Sequence, residues 1–150
     1  ENPDLEFRNC GGRGERSDEI ARRFEHCATG ADAVVIQGGI NDLAAEFPPH
    51  AVLANLRSMV RAASEENLDI AVADVLPYGP APEADGVIDE LNRRIGAMAR
   101  GAGATVLPFH QVLEDPDHPG VMTPEWTADG IHPSVEGYQR LGELAFQPPS

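Results

Sequence analysis

The sequence predicts an α/β fold, with a mainly parallel sheet and helices on both of its faces. Apolar runs of strand length alternate with segments of helical periodicity along nearly the whole chain, and this alternation is typical of parallel strands joined by helical crossovers. Residues 33–37 form an apolar run that is typical of a strand buried on both faces. The stretches richest in glycine and polar side chains each come after a predicted strand, which is where ligands bind in folds of this class.

The beginning of the chain predicts a strand, a turn and a helix. Residues 5–9 alternate apolar and polar side chains and predict a short strand. Residues 10–16 are rich in glycine and predict a turn. A helix then starts, with Ser17 as its N-cap, and ends at Gly30. The buried face of this helix is predicted to carry Ile20, Phe24 and Cys27.

The rest of the chain continues the alternation and predicts a single domain over residues 1–150. Strands are predicted at residues 33–37, 68–75 and 104–107, and helices at residues 51–66, 84–100 and 134–146. The inward positions of the first two of these helices are predicted to be Leu53, Leu56, Val60 and Ala63, and then Val87, Leu91, Ile95 and Met98. Proline and glycine exclude regular structure from residues 76–82, and residues 108–133 are predicted to form a long loop.

The composition excludes several classes of protein. Acidic residues number 25 against 11 basic ones, all of them arginine, and the net charge is −14. Because an acidic surface repels phosphate backbones and anionic lipids, neither nucleic acid nor a membrane surface is an expected partner. No apolar run approaches the roughly 18 residues that a membrane-spanning helix needs. The compartment and the oligomeric state are not indicated by the sequence.

The cysteines and histidines do not predict a metal site. Cys10 and Cys27 are too few for a framework of disulfides, and two thiols are favoured over a disulfide between them. The five histidines are scattered without the spacing of metal ligands, and the acidic loop at residues 114–118 lacks the calcium-loop pattern. We therefore expect neither a metal nor a cofactor.

The glycine-rich turn has three interpretations. Residues 12–17 nearly match the dinucleotide-binding fingerprint, but Ser17 stands in place of its third glycine, and the strand ending at Gln37 supplies no acid for a ribose. Alternatively, the turn presents backbone N–H groups at the start of a helix to a developing negative charge. It also fits an ordinary turn whose glycines adopt positive φ.

Two further stretches place polar side chains in loops beyond a predicted strand. Asn41 can donate a side-chain N–H to an oxyanion, although Asn41 and Asp42 together also suit a turn and a helix cap. Asp129 precedes His132 by three residues, and a carboxylate so placed can fix the tautomer of an imidazole that acts as general base and then general acid. The same residues also fit a turn followed by a helix entry.

These three stretches occur together and in one order along the chain. Their residues are Asn9-x-Gly11-x-x-Gly14, Gly39-x-Asn41-Asp42 and Asp129-x-x-His132. They closely resemble the second, third and fifth sequence blocks of the SGNH (GDSL) hydrolase family, and the resemblance extends over nearly the whole chain. It implies a three-layer α/β/α, flavodoxin-like fold whose parallel sheet has the strand order 2-1-3-4-5.

The resemblance implies a serine-type ester hydrolase that acts through an acyl-enzyme with a Ser-His-Asp triad. His132 would be the general base and Asp129 its orienting partner. The backbone N–H of Gly14 and the side-chain N–H of Asn41 would donate to the oxyanion hole, together with the backbone N–H of the nucleophilic serine. The substrate would be a small-molecule ester, such as an acylated carbohydrate or a lipid ester, and no cofactor or metal would take part. Residues 77–82 and Trp126 would line the substrate side.

The family's first block, which carries the nucleophilic serine, is absent from the sequence. None of the serines stands in a comparable context; they are Ser17, Ser58, Ser64, Ser134 and Ser150. The absent segment would be strand 1, between the strands at residues 5–9 and 33–37, followed by the first helix. We therefore expect this strand, the nucleophile and the first helix to lie upstream of residue 1.

Two other functions stay open on the sequence alone. The same fold without a nucleophile would be a non-catalytic binding module. A nucleotide-binding α/β domain would use the turn at residues 11–14, and the absent ribose-binding acid counts against it.

Overall fold

Three parallel strands form the central sheet of the molecule. The computed structural model describes residues 5–146. The strands are β1 (Ala33–Ile36), β2 (Asp69–Ala73) and β3 (Thr105–Leu107), hydrogen-bonded in the order β1-β2-β3. The register pairs Ile36 with Val72 and Val72 with Val106, so the carboxyl ends of the three strands lie at one edge of the sheet.

Helices flank this sheet, as the sequence predicts. Within residues 5–146 they are α1 (Ser17–Ala28), α2 (Ile40–Ala44), α3 (Pro49–Glu65), α4 (Asp85–Gly101), α5 (Phe109–Leu113) and α6 (Val135–Leu144). Helices α3 and α4 pack on one face of the sheet, and α1 packs on α3. On the other face, Phe109 of α5 packs against Ala71, Ala73 and Leu107. No helix among the described residues is both long and apolar enough to cross a membrane.

The main core lies between the sheet and helices α3 and α4. The buried side chains of α3 are Val52, Leu56, Met59, Val60 and Ala63. Those of α4 are Ile88, Leu91, Ile95 and Ala99, together with Gly96. Full burial of each leucine or isoleucine contributes about 1.5–3 kcal/mol, so these two stripes hold both helices on the sheet.

The predicted inward-facing residues of α3 and α4 are correct in the middle of each helix and wrong at some positions near the ends. Leu53 is only partly buried, and Val52 takes its place in the core. Val87 is 47% exposed and Met98 is partly buried, because Ile88 and Ala99 face the sheet instead. Positions 88, 91, 95 and 99 are separated by three, four and four residues, which is the spacing of one helix face.

The predicted strand at residues 5–9 is wrong, and so is the predicted burial of β1 on both faces. Residues 5–12 have no regular structure, and β2 is the sole strand neighbour of β1 within the described part of the chain. A strand persists only where a neighbour takes up its backbone hydrogen bonds, and residues 5–9 have no such neighbour. Val35 of β1 is 46% exposed. The edge of the sheet beyond β1 is therefore open among residues 5–146.

Residues 108–133 are more ordered than the predicted long loop. After α5 they form an antiparallel hairpin of β4 (Glu114–Asp115) and β5 (His118–Met122), and then a 3₁₀ turn at Pro124–Trp126. Leu113 and Met122 are buried with Leu141 of α6 in a second apolar cluster. Because these apolar residues are few and widely spaced, they show no period in the sequence, and only the tertiary contact with α6 fixes the segment.

Candidate active site

Asp129 and His132 lie in direct contact on the loop that leads into α6. Asp129 Oδ2 lies 2.8 Å from His132 Nδ1. Asp129 Oδ1 accepts the backbone N–H groups of Ile131 and His132 at 2.9 and 2.8 Å. Because a carboxylate can only accept, Nδ1 carries the imidazole proton, and Nε2 is left to take a proton from another group.

The environment of Asp129 keeps its carboxylate ionised. The backbone N–H of His132, then its imidazole, and then the backbone N–H of Ile131 hold the pKa of Asp129 well below its usual range. The side chains of His132 and Asp129 are 70% and 51% exposed, so the pair faces open space. An ionised, oriented carboxylate at this position stabilises the imidazolium that forms when His132 accepts a proton.

Thr127 and Gly79 hold this loop in place. Thr127 Oγ1 donates to the backbone carbonyl of His132 at 2.7 Å and accepts the N–H of Gly130 at 2.9 Å. The N–H of Gly79 donates to the carbonyl of Gly130 at 3.0 Å. A Cβ at Gly79 would lie 2.8 Å from that carbonyl oxygen, so the close approach requires glycine. Thr127 is not among the residues predicted from the sequence, because its position in the turn has no distinctive spacing.

Asn41 and Gly14 are neighbours in the other half of the candidate site. Asn41 stands in the first turn of α2, and its Nδ2 donates to the backbone carbonyl of Glu15 at 2.9 Å. This bond ties the glycine-rich turn to the carboxyl end of β1. Gly14 is exposed with φ of 74°, and its N–H has no hydrogen-bond acceptor among residues 5–146. Asn41 keeps one further N–H, so both donors are open to a ligand.

A buried carboxylate fixes α2 to the start of α1. Asp42 is 1% exposed, and it accepts the backbone N–H of Ser17 at 2.8 Å and the Ser17 hydroxyl at 2.6 Å. Asn55 Nδ2 donates to the same hydroxyl at 2.9 Å. Ser17 is therefore not the N-cap that the sequence predicts; Arg16 is the N-cap, because the Ser17 side chain is bound to Asp42. A fully buried hydroxyl with these partners is also unsuited to be the nucleophile.

Gly39 allows α2 to begin close to the sheet. Its φ is 124°, a conformation that L side chains rarely adopt. An added Cβ would lie 2.9 Å from Val52 Cγ1 and 3.1 Å from Val75 Cγ2. Glycine is therefore required at this position for Asn41 to reach the glycine-rich turn.

The glycine-rich turn is linked covalently to α1. Cys10 and Cys27 form a disulfide with Cα atoms 6.0 Å apart, so the prediction of two thiols is wrong. Residues 10–16 run back along α1, and Glu15 Oε1 accepts from Arg23 Nε at 2.9 Å. This return path brings the two cysteines together, although 17 positions separate them in the sequence.

A cleft of about 660 Å³ lies beside the loop that carries Asp129. Its walls are formed by Gly79, Pro80, Val121, Met122, Pro124 and residues 127–130. Gly79 and Pro80 belong to the segment at residues 77–82 that is predicted to line the substrate side, and that prediction stays a prediction. Trp126 does not line the cleft, because its ring packs under the guanidinium of Arg140, 3.8 Å away, and against the apolar cluster around Leu113.

The four predicted site residues form two contacting groups at one edge of the sheet. Asp129 touches His132, and Asn41 touches the residue after Gly14. No hydrogen bond joins the two groups within residues 5–146, and no serine hydroxyl there binds His132. Ser134 is the N-cap of α6, since its Oγ accepts the N–H of Gly137 at 3.1 Å.

The family model of the GDSL-like lipase/acylhydrolase family matches residues 1–140. The chain therefore belongs to this family. No curated protein sequence matches the chain.

Solved structures of similar fold include members of the same family. A GDSL-like lipase from Bacteroides thetaiotaomicron has 26% identity and a TM-score of 0.81, over 87% of this chain and 69% of the lipase. A member of the lipolytic G-D-S-L family from Veillonella parvula has 21% identity and a TM-score of 0.78, over 94% of this chain and 78% of its own. An acetyl-xylooligosaccharide esterase from Geobacillus Stearmophilus has 19% identity and a TM-score of 0.72, over 87% of this chain and 65% of the esterase. At such identities the last two show the fold alone.

Proposed function

We propose that this chain is the body of a serine-type carboxylic ester hydrolase. The observation that carries the proposal is the Asp129–His132 pair. The carboxylate holds Nδ1 at 2.8 Å, is itself fixed by two backbone N–H groups, and leaves Nε2 free on an exposed side. This is the arrangement of a general base that takes a proton from a nucleophile and returns it to a leaving group.

The reaction would proceed through an acyl-enzyme. A serine hydroxyl attacks the ester carbonyl while His132 Nε2 takes its proton, and Asp129 stabilises the imidazolium. The N–H groups of Gly14 and Asn41, with that of the nucleophile, donate to the tetrahedral oxyanion. The intermediate collapses when the alcohol leaves with the proton from His132. A water molecule then attacks the acyl-enzyme while His132 takes its proton, and the carboxylic acid is released as the serine regains its proton.

We place the nucleophilic serine on a segment that precedes Glu1. Two observations support this position. The edge of the sheet beyond β1 carries no strand among residues 5–146, and Val35 beside it is half-exposed. A strand at that edge, followed by a helix over Val35, would bring its carboxyl end to the edge of the sheet where Asn41 and His132 lie. An open depression lined by Gly79, Pro80 and Asp129 lies beside the loop that carries His132 and leaves room for a small ester.

Kinetics on the natural full-length protein test the proposal. We expect hydrolysis of p-nitrophenyl acetate, and we expect His132→Ala or Asn41→Ala to lower kcat by roughly a hundredfold or more. His118→Ala is the matched control, because His118 also pairs through Nδ1 with an aspartate three residues earlier, Asp115, at 3.1 Å. Circular dichroism confirms that each variant is folded.

Unchanged rates in both His132→Ala and Asn41→Ala would contradict the proposal. A folded full-length protein without any esterase activity would instead favour a non-catalytic binding module on the same fold.

A further inference from the structure

A second cluster of titratable side chains lies where α4 meets α5, outside the residues assigned to catalysis. Asp85 and Asp89 stand one turn apart on α4, and His110 and Glu114 are four residues apart where α5 leads into β4. One side-chain ligand atom from each of Asp85, Asp89 and His110 lies within 4.8 Å of the other two. No sequence motif predicts this group, because its members come from two distant segments.

His110 presents an unpartnered nitrogen to the cluster. The residue is 6% exposed, and its Nδ1 lies 2.9 Å from the carbonyl of Val75, which can only accept. Nδ1 therefore carries the proton, and Nε2 is left as a bare acceptor. Nε2 of His110 and Oδ1 of Asp85 are buried and make no hydrogen bond within residues 5–146, and they face each other at 3.7 Å. Two acceptors in this position call for a cation between them.

Two distances from His110 fit the first coordination sphere of a small metal ion. Ligands that surround a tetrahedral ion at about 2.1 Å stand about 3.4 Å from one another. His110 Nε2 lies 3.7 Å from Asp85 Oδ1 and 3.5 Å from Glu114 Oε1. The N–H of Gly120 donates to the same Glu114 oxygen at 2.9 Å and orients it. A fixed second hydrogen bond of this kind is typical of metal ligands, as is the bond from His110 Nδ1 to a backbone carbonyl.

The charge of the cluster also favours a cation. Three carboxylates lie around one imidazole, and no arginine is paired with any of them among residues 5–146. The nearby Asp74 carboxylate adds negative charge, and it accepts the backbone N–H of His110 at 2.7 Å. A divalent ion would relieve the repulsion among these carboxylates directly.

We propose that Asp85, Asp89 and His110, with Glu114 beside His110, bind a divalent transition-metal ion of the Zn²⁺ class. Imidazole nitrogen together with carboxylate oxygen selects this class over Mg²⁺ and Ca²⁺, which prefer oxygen alone. Such an ion would tie the first turns of α4 to α5 and to the β4–β5 hairpin, which carries Val121 and Met122 of the cleft wall. The site is independent of the proposed esterase activity.

Titration with the metal alone tests this site. After treatment with EDTA, the full-length protein is titrated with ZnCl₂ by isothermal calorimetry at neutral pH. We expect one saturable site per chain and a rise in Tm with Zn²⁺ but not with Mg²⁺. Asp89→Asn should weaken binding by tenfold or more, and this variant should fold because Asp89 is exposed. With Co²⁺ as the probe, His110→Gln should lose the visible absorption of the bound ion.

Two control variants separate this site from other surface groups. His118→Gln removes the exposed histidine that pairs with Asp115, and His132→Gln removes the histidine of the candidate active site. Both should bind Zn²⁺ as tightly as the parent protein does. An absence of saturable Zn²⁺ binding would overturn the proposal, and so would equal affinity in the parent and Asp89→Asn proteins.

Discussion

At the residue scale, Asp129 organises the loop that carries His132. One oxygen accepts two backbone N–H groups and the other binds the imidazole, so the same carboxylate fixes both the path of the loop and the tautomer of the histidine. The spacing of three residues makes this geometry local. It could therefore be predicted from the sequence, whereas the Thr127 hydroxyl that fixes the other end of the loop could not, because it has no distinctive spacing of its own.

Loss of the His132 imidazole should raise the pKa of Asp129 only part of the way to its usual range. In His132→Ala the two backbone N–H donors remain, so the pKa should rise but stay below its usual range. Because the folded-state pKa is depressed, the carboxylate stabilises the fold above its unfolded pKa, and that contribution is lost as pH falls through the folded value. A ¹³C NMR titration of the Asp129 carboxyl measures this pKa in the parent and His132→Ala proteins.

The control for this titration is His118→Ala, which should leave the Asp129 pKa unchanged. An Asp129 pKa at its usual value in the parent protein would contradict the hydrogen-bonded geometry.

At the scale of elements, periodicity predicted the helices and the strands that have neighbours. The stripes of α3 and α4 follow from spacing, since Leu56, Val60, Leu91 and Ile95 are buried as predicted. Residues 5–9 have the alternation of a strand and are not one, because a strand depends on a partner that local sequence does not encode. The β4–β5 hairpin was missed for the opposite reason: contacts with α6 order it without a local pattern.

The junction between α1 and α2 depends on the buried hydrogen bonds of Ser17. Ser17→Ala removes a hydroxyl that donates to the buried Asp42 and accepts from the half-buried Asn55, leaving each of them short of one partner. We expect a loss of about 1–3 kcal/mol in the free energy of unfolding, measured by urea denaturation. Ser64→Ala on the exposed side of α3 should change it by less than about 0.5 kcal/mol. Equal effects of the two substitutions would show that the Asp42 network does not hold this junction.

At the scale of the whole molecule, the fold places every motif residue at the carboxyl edge of a sheet with one open side. The contact between Asp129 and His132 could be predicted from motif spacing, because both residues lie within one short segment. Gly14 and Asn41 stay predicted oxyanion donors. The buried Asp42, the Cys10–Cys27 disulfide and the cluster around His110 could not be predicted, since each joins segments that only the tertiary fold brings together. Among the described residues no hydroxyl binds the imidazole of His132, and β1 has no strand neighbour on its outer side.

Labelling of the nucleophile tests the central claim most directly. The natural full-length protein is treated with a fluorophosphonate, which reacts with activated serines, and the modified peptide is identified by mass spectrometry. We expect one labelled serine, located before Glu1, and no label in His132→Ala, because the serine then has no base to take its proton. A label on Ser17, Ser58, Ser64, Ser134 or Ser150 would contradict the proposed site, and so would labelling that persists in His132→Ala.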